Sequence, residues 1–88
     1  MTVSALYFTA SRAAEQALPP ASRALLVRHD ELQRAWSLTG WLTSPPPAEL
    51  QAARLACAQD PLVEATFTLR AFGNTAASVE WEKTRAAA

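Results

Sequence analysis

Short stretches of the chain alternate between apolar and polar positions, and this period of two predicts β-strands. In Val63–Phe72 (VEATFTLRAF), Val, Ala, Phe and Leu alternate with Glu, Thr and Arg, and Ala35–Ser44 (AWSLTGWLTS) behaves in the same way. Thr2–Ala10 is rich in Val, Leu, Tyr, Phe and Thr and carries apolar residues in both alternating sets, so we predict a strand that is covered on both faces. Gly73-Asn74 is predicted to form a turn.

Two segments have the features of helices. Ser11 is a candidate N-cap for a helix over Arg12–Leu18, which is followed by two helix-breaking prolines. Ser44 and the three prolines after it predict the start of a second helix, which runs to about Gln59 and ends before Pro61. The side of this helix that is predicted to face the core carries Leu50, Ala53 and Cys57.

Two further segments fit either a strand or a helix. Ala21–Ala35 is interpreted either as a helix or as a short strand over Ala24–His29, and the strand is preferred. The tail Ser78–Arg85 fits a fifth strand or a helix favoured by its alanines, and again the strand is preferred. The resulting order βαββαβ predicts a ferredoxin-like α+β fold, with an antiparallel sheet and both helices on one face.

Composition limits the size and the partners of such a fold. A chain of 88 residues, half of them hydrophobic and 18% charged, predicts a single globular domain over residues 1–88. The eight basic residues are scattered and balanced by eight acidic ones, which argues against nucleic acid as a partner and permits self-association. The lone Cys57 and an N-terminal apolar run too short for a signal or a span predict a cytoplasmic protein without a membrane partner.

No familiar catalytic or metal-binding motif is present, so the catalytic residues stay unknown. His29-Asp30-Glu31 is interpreted as a solvated turn, since no second His could complete a metal site. Cys57 lies at helical spacing with Leu50 and is interpreted as a packed core thiol. The two glycines of the chain cannot form a phosphate-binding loop, and no cofactor is expected.

The second face of the predicted sheet is the candidate binding site. It would combine hydroxyls, aromatic rings and one guanidinium, a composition that suits a small, anionic and partly apolar ligand. A second copy covering this face would make the protein a homodimer with a cavity between two sheets. The candidate ligand-binding residues are Tyr7, Thr39, Trp41, Thr66, Thr68 and Arg70.

The segment Glu49–Phe72 (ELQAARLACAQDPLVEATFTLRAF) resembles the end of YCII-related domains of the dimeric α/β-barrel superfamily, in which a helix runs into Asp-Pro and a final strand. Asp60-Pro61 is the matching dipeptide. The resemblance implies a homodimer with a pocket in each protomer, in a group whose members bind or isomerise small ring compounds and lactones. It also implies a His on the first helix beside the Asp of Asp-Pro, and this chain has no His between Ser11 and Ser22.

Three functions remain open from the sequence. The first is a homodimer that binds a small molecule. The second is a protein-interaction or assembly module that uses the open sheet face. The third is a small isomerase or cyclase, with Arg70 stabilising an oxyanion and Asp60 moving a proton. A closed pocket favours the first or third function, and an exposed aromatic surface favours the second.

Overall fold

The computed structural model describes residues 1–40 and 44–87, and within these ranges it contains four α-helices and no strand. The ferredoxin-like α+β fold, its antiparallel sheet and the dimeric α/β barrel are therefore wrong. The helices are α1 (Val3–Gln16), α2 (Pro20–Thr39), α3 (Ala48–Ala58) and α4 (Pro61–Ala87).

The first backbone N–H groups of a helix have no partner within the helix. Three of the helices begin at, or directly after, a residue that either accepts a hydrogen bond from such a group or lacks the group. The Thr2 side chain accepts a hydrogen bond from the N–H of Ala5 and caps α1. Pro20 and Pro61 are the first residues of α2 and α4, where a missing N–H costs nothing and a fixed φ already suits a helix. Pro61, which was expected only to end a helix, therefore also begins the next one.

The strand predicted over Thr2–Ala10 forms most of α1, and the one over Val63–Phe72 lies within α4. Apolar residues in both alternating sets are typical of a strand between two layers. The same pattern arises in a helix that packs on one side and presents apolar residues on an adjacent side. Gly73-Asn74 is not a turn, because both residues lie in the middle of α4.

The remaining strand predictions are also wrong. Ala24–His29 lies within α2, so the helix that was the alternative for Ala21–Ala35 is correct. Of the strand predicted over Ala35–Ser44, the residues up to Thr39 continue α2, and residues 41–43 lie outside the described ranges. The tail Ser78–Arg85 is helical, as its alanines favoured.

Helix α3 is the element that the sequence predicted correctly. Its inward residues Leu50, Ala53 and Cys57 are all buried. The helix begins at Ala48, later than expected, with Pro47 as its N-cap. The helix predicted over Arg12–Leu18 is only the last part of α1, and Ser11 is a buried residue inside α1 whose hydroxyl donates to the carbonyl of Phe8.

The chain divides into two compact units. One comprises Met1–Ala17 and the part of α4 from Ala65 onwards, and the other is Leu18–Glu64. They are called here the α1–α4 pair and the α2–α3 unit. Single-domain organisation over residues 1–88 stays a prediction. Within the described ranges, no helix combines the length and the apolarity needed to cross a membrane.

Candidate interaction surface

Helices α1 and α4 of the α1–α4 pair contact each other along one face of each helix. Ser4 hydrogen-bonds to Glu80, the ring of Phe8 lies against Gly73, and Glu15 forms an ion pair with Arg70. The residue numbers rise along α1 as they fall along α4, so the two helices are antiparallel. On α1 the three residues are separated by four and seven positions, the spacing of one helix face.

The contact surface between these helices is small and polar. Ser4, Ser11, Thr66 and Gly73 are all buried, and the ring of Phe8 packs against Gly73. A Cβ atom placed on Gly73 would lie 2.7 Å from Cε1 of Phe8, so the ring occupies the space that a side chain would need. The helices therefore approach closely at Gly73.

Glu80 acts as a cap for α1 although it lies on α4. Its Oε1 accepts the backbone N–H of Ser4 at 2.9 Å, and its Oε2 accepts the Ser4 hydroxyl at 2.6 Å. These hydrogen bonds, first that of the Ser4 hydroxyl and then that of the Ser4 N–H, lower the pKa of the Glu80 carboxyl. The negative charge also lies at the positive end of the α1 dipole.

We expect the Glu80 cap to make the α1–α4 pair sensitive to acid. A carboxyl whose pKa is lowered by folding contributes stability that is present above its unfolded pKa and is lost as the pH falls through its folded pKa. Glu80→Gln should therefore lower the midpoint of thermal unfolding at neutral pH, and the difference from the wild type should disappear as the pH falls below the folded pKa of Glu80, where the wild-type carboxyl is also protonated.

Glu82→Gln is the matched control, because Glu82 lies on the same helix, is exposed and forms an exposed ion pair with Arg85 three residues on. Thermal unfolding of the three proteins between neutral and acid pH measures the effect. An equal loss of stability for Glu80→Gln at all pH values would contradict the capping role of the charge.

A second stripe of residues on each helix is apolar and faces outward. On α1 each residue of this second stripe directly precedes a position of the face that contacts α4, which includes Ser4, Phe8 and Glu15. On both helices the residues of the second stripe are separated by three or four positions, as in a heptad. Val3 is 56% exposed, Phe72 53% and Val79 48%. We call this surface the open face, and it consists of Val3, Tyr7, Ala10 and Ala14 on α1 and of Leu69, Phe72, Ala76 and Val79 on α4.

The two halves of the open face are joined by an aromatic contact. The ring centroids of Tyr7 and Phe72 are 5.6 Å apart with the planes tilted by 37°, a favourable separation for an aromatic pair. None of the eight residues carries a charge. The α1–α4 pair thus presents a continuous, neutral and partly exposed apolar surface.

Of the candidate ligand-binding residues, several lie in the α1–α4 pair but not on one surface. Tyr7 belongs to the open face, Thr66 is fully buried, and Thr68 is exposed on α4. Arg70 is engaged by Glu15, and its guanidinium carbon lies 5.5 Å from the centre of the Phe67 ring. Because no sheet exists in the described ranges, the sheet face that should have gathered these residues is absent.

The remaining two candidates belong to the other unit or lie outside the description. The Thr39 hydroxyl donates to the carbonyl of Ala35 at 2.7 Å, at the end of α2. Trp41 lies outside the described residues. Ligand binding by the six candidates stays a prediction.

In the α2–α3 unit, Asp60 is a structural cap. Its carboxylate accepts the Ser22 hydroxyl at 2.6 Å and the N–H groups of Leu62 and Val63 at the start of α4. The Ser22 hydrogen bond, followed by those of Val63 and Leu62, lowers the pKa of Asp60. A carboxylate held as the anion in this way is poorly suited to exchange protons near neutral pH.

The other candidate chemical groups of this unit have structural partners. Cys57 is fully buried, and its Sγ lies 3.6 Å from the carbonyl oxygen of Leu25, which confirms the packed thiol. His29 is not in a turn but within α2, with Nδ1 3.0 Å from Oδ1 of Asp30. Among the residues that the structure describes, no group of three metal-ligating side chains comes together.

No family model matches the chain, and no curated protein or solved structure matches it. The resemblance to YCII-related domains is wrong, because no family is matched and because the Asp60-Pro61 segment joins two helices instead of a helix and a strand.

Proposed function

We propose that the protein is a self-assembling interaction module, in which the open faces of two copies pack together into a four-helix bundle. The open face carries the proposal. In a four-helix bundle each helix contacts two neighbours and therefore needs two adjacent stripes. In α1 and α4 one stripe serves the neighbour within the chain, and the open face is available to helices of a second copy.

The sizes of the open-face residues support face-to-face packing. Each helix contributes both large residues and alanines to the open face, and the two aromatic rings, Tyr7 and Phe72, contact each other near its middle. Large and small residues on one surface allow two facing copies to interdigitate. The large residues are Val3, Tyr7, Leu69, Phe72 and Val79, and the small ones are Ala10, Ala14 and Ala76.

A second copy is the favoured occupant because the open face is neutral. Two identical surfaces can meet around a two-fold axis only if no like charges are brought together. The open face contains no charged side chain, and the whole chain has a net charge of zero. A face with charges of one sign only would instead select a different partner of opposite sign.

Phe72→Glu tests the proposal, with Trp81→Glu as its matched control. Both residues are large, aromatic and similarly exposed, 53% and 59%, on the same helix. They are nine residues apart, which places them on opposite sides of α4. Only the first substitution puts a charge into the open face, where burial would leave it unpaired.

Sedimentation at micromolar concentration measures the outcome. The wild-type chain should sediment above the monomer mass, Phe72→Glu should lower that mass, and Trp81→Glu should leave it unchanged. A wild-type monomer, or equal masses for all three proteins, would remove the proposal. Small-molecule binding and a cytoplasmic location stay predictions beside it.

A further inference from the structure

The side of α2 opposite α3 carries another heptad stripe. Contacts to the rest of the α2–α3 unit come from Ser22, Leu25 and Gln33, through Asp60, Cys57 and Arg54. On the opposite side, Val27 is 48% exposed and Leu38 is 78% exposed. We call this side the outer face of α2, and it consists of Ala24, Val27, Glu31, Arg34 and Leu38.

A hollow lies at the middle of the outer face. It is lined by Val27, Asp30, Glu31 and Arg34. These positions are i, i+3, i+4 and i+7, the four residues that surround a hole for one side chain of a facing helix. Asp30 is paired with His29, whereas Glu31 and Arg34 carry opposite charges on the outer face itself, so a complementary facing helix presents a cation opposite Glu31 and an acid opposite Arg34.

We infer that this cation is Arg34 of a second copy, and that α2 pairs with its counterpart in antiparallel orientation. A two-fold axis between Leu32 and Gln33 places Arg34 of each chain opposite Glu31 of the other, beside the hollow. The same axis places Val27 opposite the partner's Leu38, so the two exposed apolar side chains cover each other. This arrangement pairs a with d positions, as in antiparallel coiled coils.

Other arrangements of the two helices are unfavourable. Sliding the pair by three residues in either direction brings Glu31 opposite Glu31 or Arg34 opposite Arg34. Sliding it by a whole heptad sets Val27 against Glu31, or Leu38 against Arg34. A parallel in-register pair also juxtaposes identical charges. Only the proposed register satisfies both the charges and the apolar residues of the outer face.

This inference does not rest on the open face, since the two surfaces belong to different units. If both act, the chain has two different self-complementary surfaces. Where the two surfaces engage different copies, the assembly is larger than a dimer, either closed or continuing. The module would then be a scaffold-forming protein and not only a dimer.

Charge-reversal variants in the Phe72→Glu background isolate the outer face. Glu31→Arg yields a helix with arginine at positions 31 and 34, and Arg34→Glu yields a helix with glutamate at positions 31 and 34. Each variant alone would bring like charges together in the proposed register. We expect each to dissociate about tenfold more readily than the Phe72→Glu protein, as measured by sedimentation.

Mixing the two variants supplies the decisive measurement. In a mixed pair, both contacts between positions 31 and 34 join arginine to glutamate, so the mixture should associate as well as the Phe72→Glu parent. A change that merely weakened α2 would not be reversed by mixing. The double variant Glu31→Arg/Arg34→Glu should also associate with itself at the level of the parent.

The outcomes separate this inference from the proposed function. A Phe72→Glu protein that is monomeric at every accessible concentration, or a mixture that associates no better than its components, overturns pairing through α2. The open-face proposal is judged separately by the difference between Phe72→Glu and Trp81→Glu. The same mixing in the chain with an intact Phe72 repeats the test independently of that background.

Discussion

Leu50→Ala is expected to lower the free energy of unfolding by about 3 kcal/mol, because it removes a fully buried side chain and leaves a cavity. Leu50 lies at the first turn of α3, on the face that also buries Ala53 and Cys57. A chain of this length has a total stability of only about 4 to 13 kcal/mol. The loss is therefore a large fraction of the whole and is measurable by urea denaturation at a fixed chain concentration.

Leu55→Ala is the matched control for this prediction. Leu55 has the same side chain on the same helix but is 62% exposed. Its truncation should change the free energy of unfolding by less than about 0.5 kcal/mol. Equal losses for the two variants would mean that the side of α3 carrying Leu50 is not the buried one.

Gly73→Val is expected to lower the free energy of unfolding by about 2 to 3 kcal/mol, because the new side chain would overlap the ring of Phe8. Helix propensity acts in the opposite direction, since glycine is the poorer helix former in the interior of α4. A net destabilisation would therefore show that the close approach of α1 outweighs the local preference. Urea denaturation again provides the measurement.

Asn74→Val controls for the effect of a β-branched residue in α4, because Asn74 is exposed and directly follows Gly73. It should be almost neutral. Phe8→Leu should recover part of the loss when combined with Gly73→Val, since it shortens the side chain that occupies the space. Additive losses for Phe8→Leu and Gly73→Val would place the clash elsewhere.

The buried positions explain why α1 and α4 were mistaken for strands. Ser4, Ser11, Thr66 and Gly73 are buried, yet three of them are polar and the fourth has no side chain. Because these residues are not apolar, the spacing of apolar residues along the sequence does not reveal that they are buried. The apolar residues that remain then show the period of two that predicts a strand.

Helix α3 could be predicted because its buried positions are apolar. Leu50, Ala53 and Cys57 follow helical spacing directly, and prolines precede the helix. Pro61 also stands at the start of a helix, but from the sequence it was interpreted only as the end of α3. Its role as the first residue of α4 depends on the Asp60 cap, which the sequence Asp-Pro also allows.

The candidate interaction surface was only partly accessible from the sequence. Tyr7 was predicted to share a face of a sheet with Trp41 and the other candidate ligand-binding residues, but it lies on a helix. The structure places Phe72 beside it instead. The heptad spacing of Val3, Tyr7, Ala10 and Ala14 is present in the sequence and could have indicated the open face, provided that a helix had been assumed there.

The α1–α4 pair joins the beginning of this sequence to its end, and this fixes the order in which its contacts can form during synthesis. Ser4 and Glu80 are separated by 76 residues. At ribosomal rates of about 5 to 20 residues per second, the interval between the synthesis of Ser4 and that of Glu80 is roughly 4 to 15 s. The contacts of Ser22 with Asp60 and of Leu25 with Cys57 close over 38 and 32 residues and can form earlier. During that interval the apolar side chains of α1 have no α4 of their own chain to pack against, and on a polysome the α4 of a neighbouring chain can compete for them.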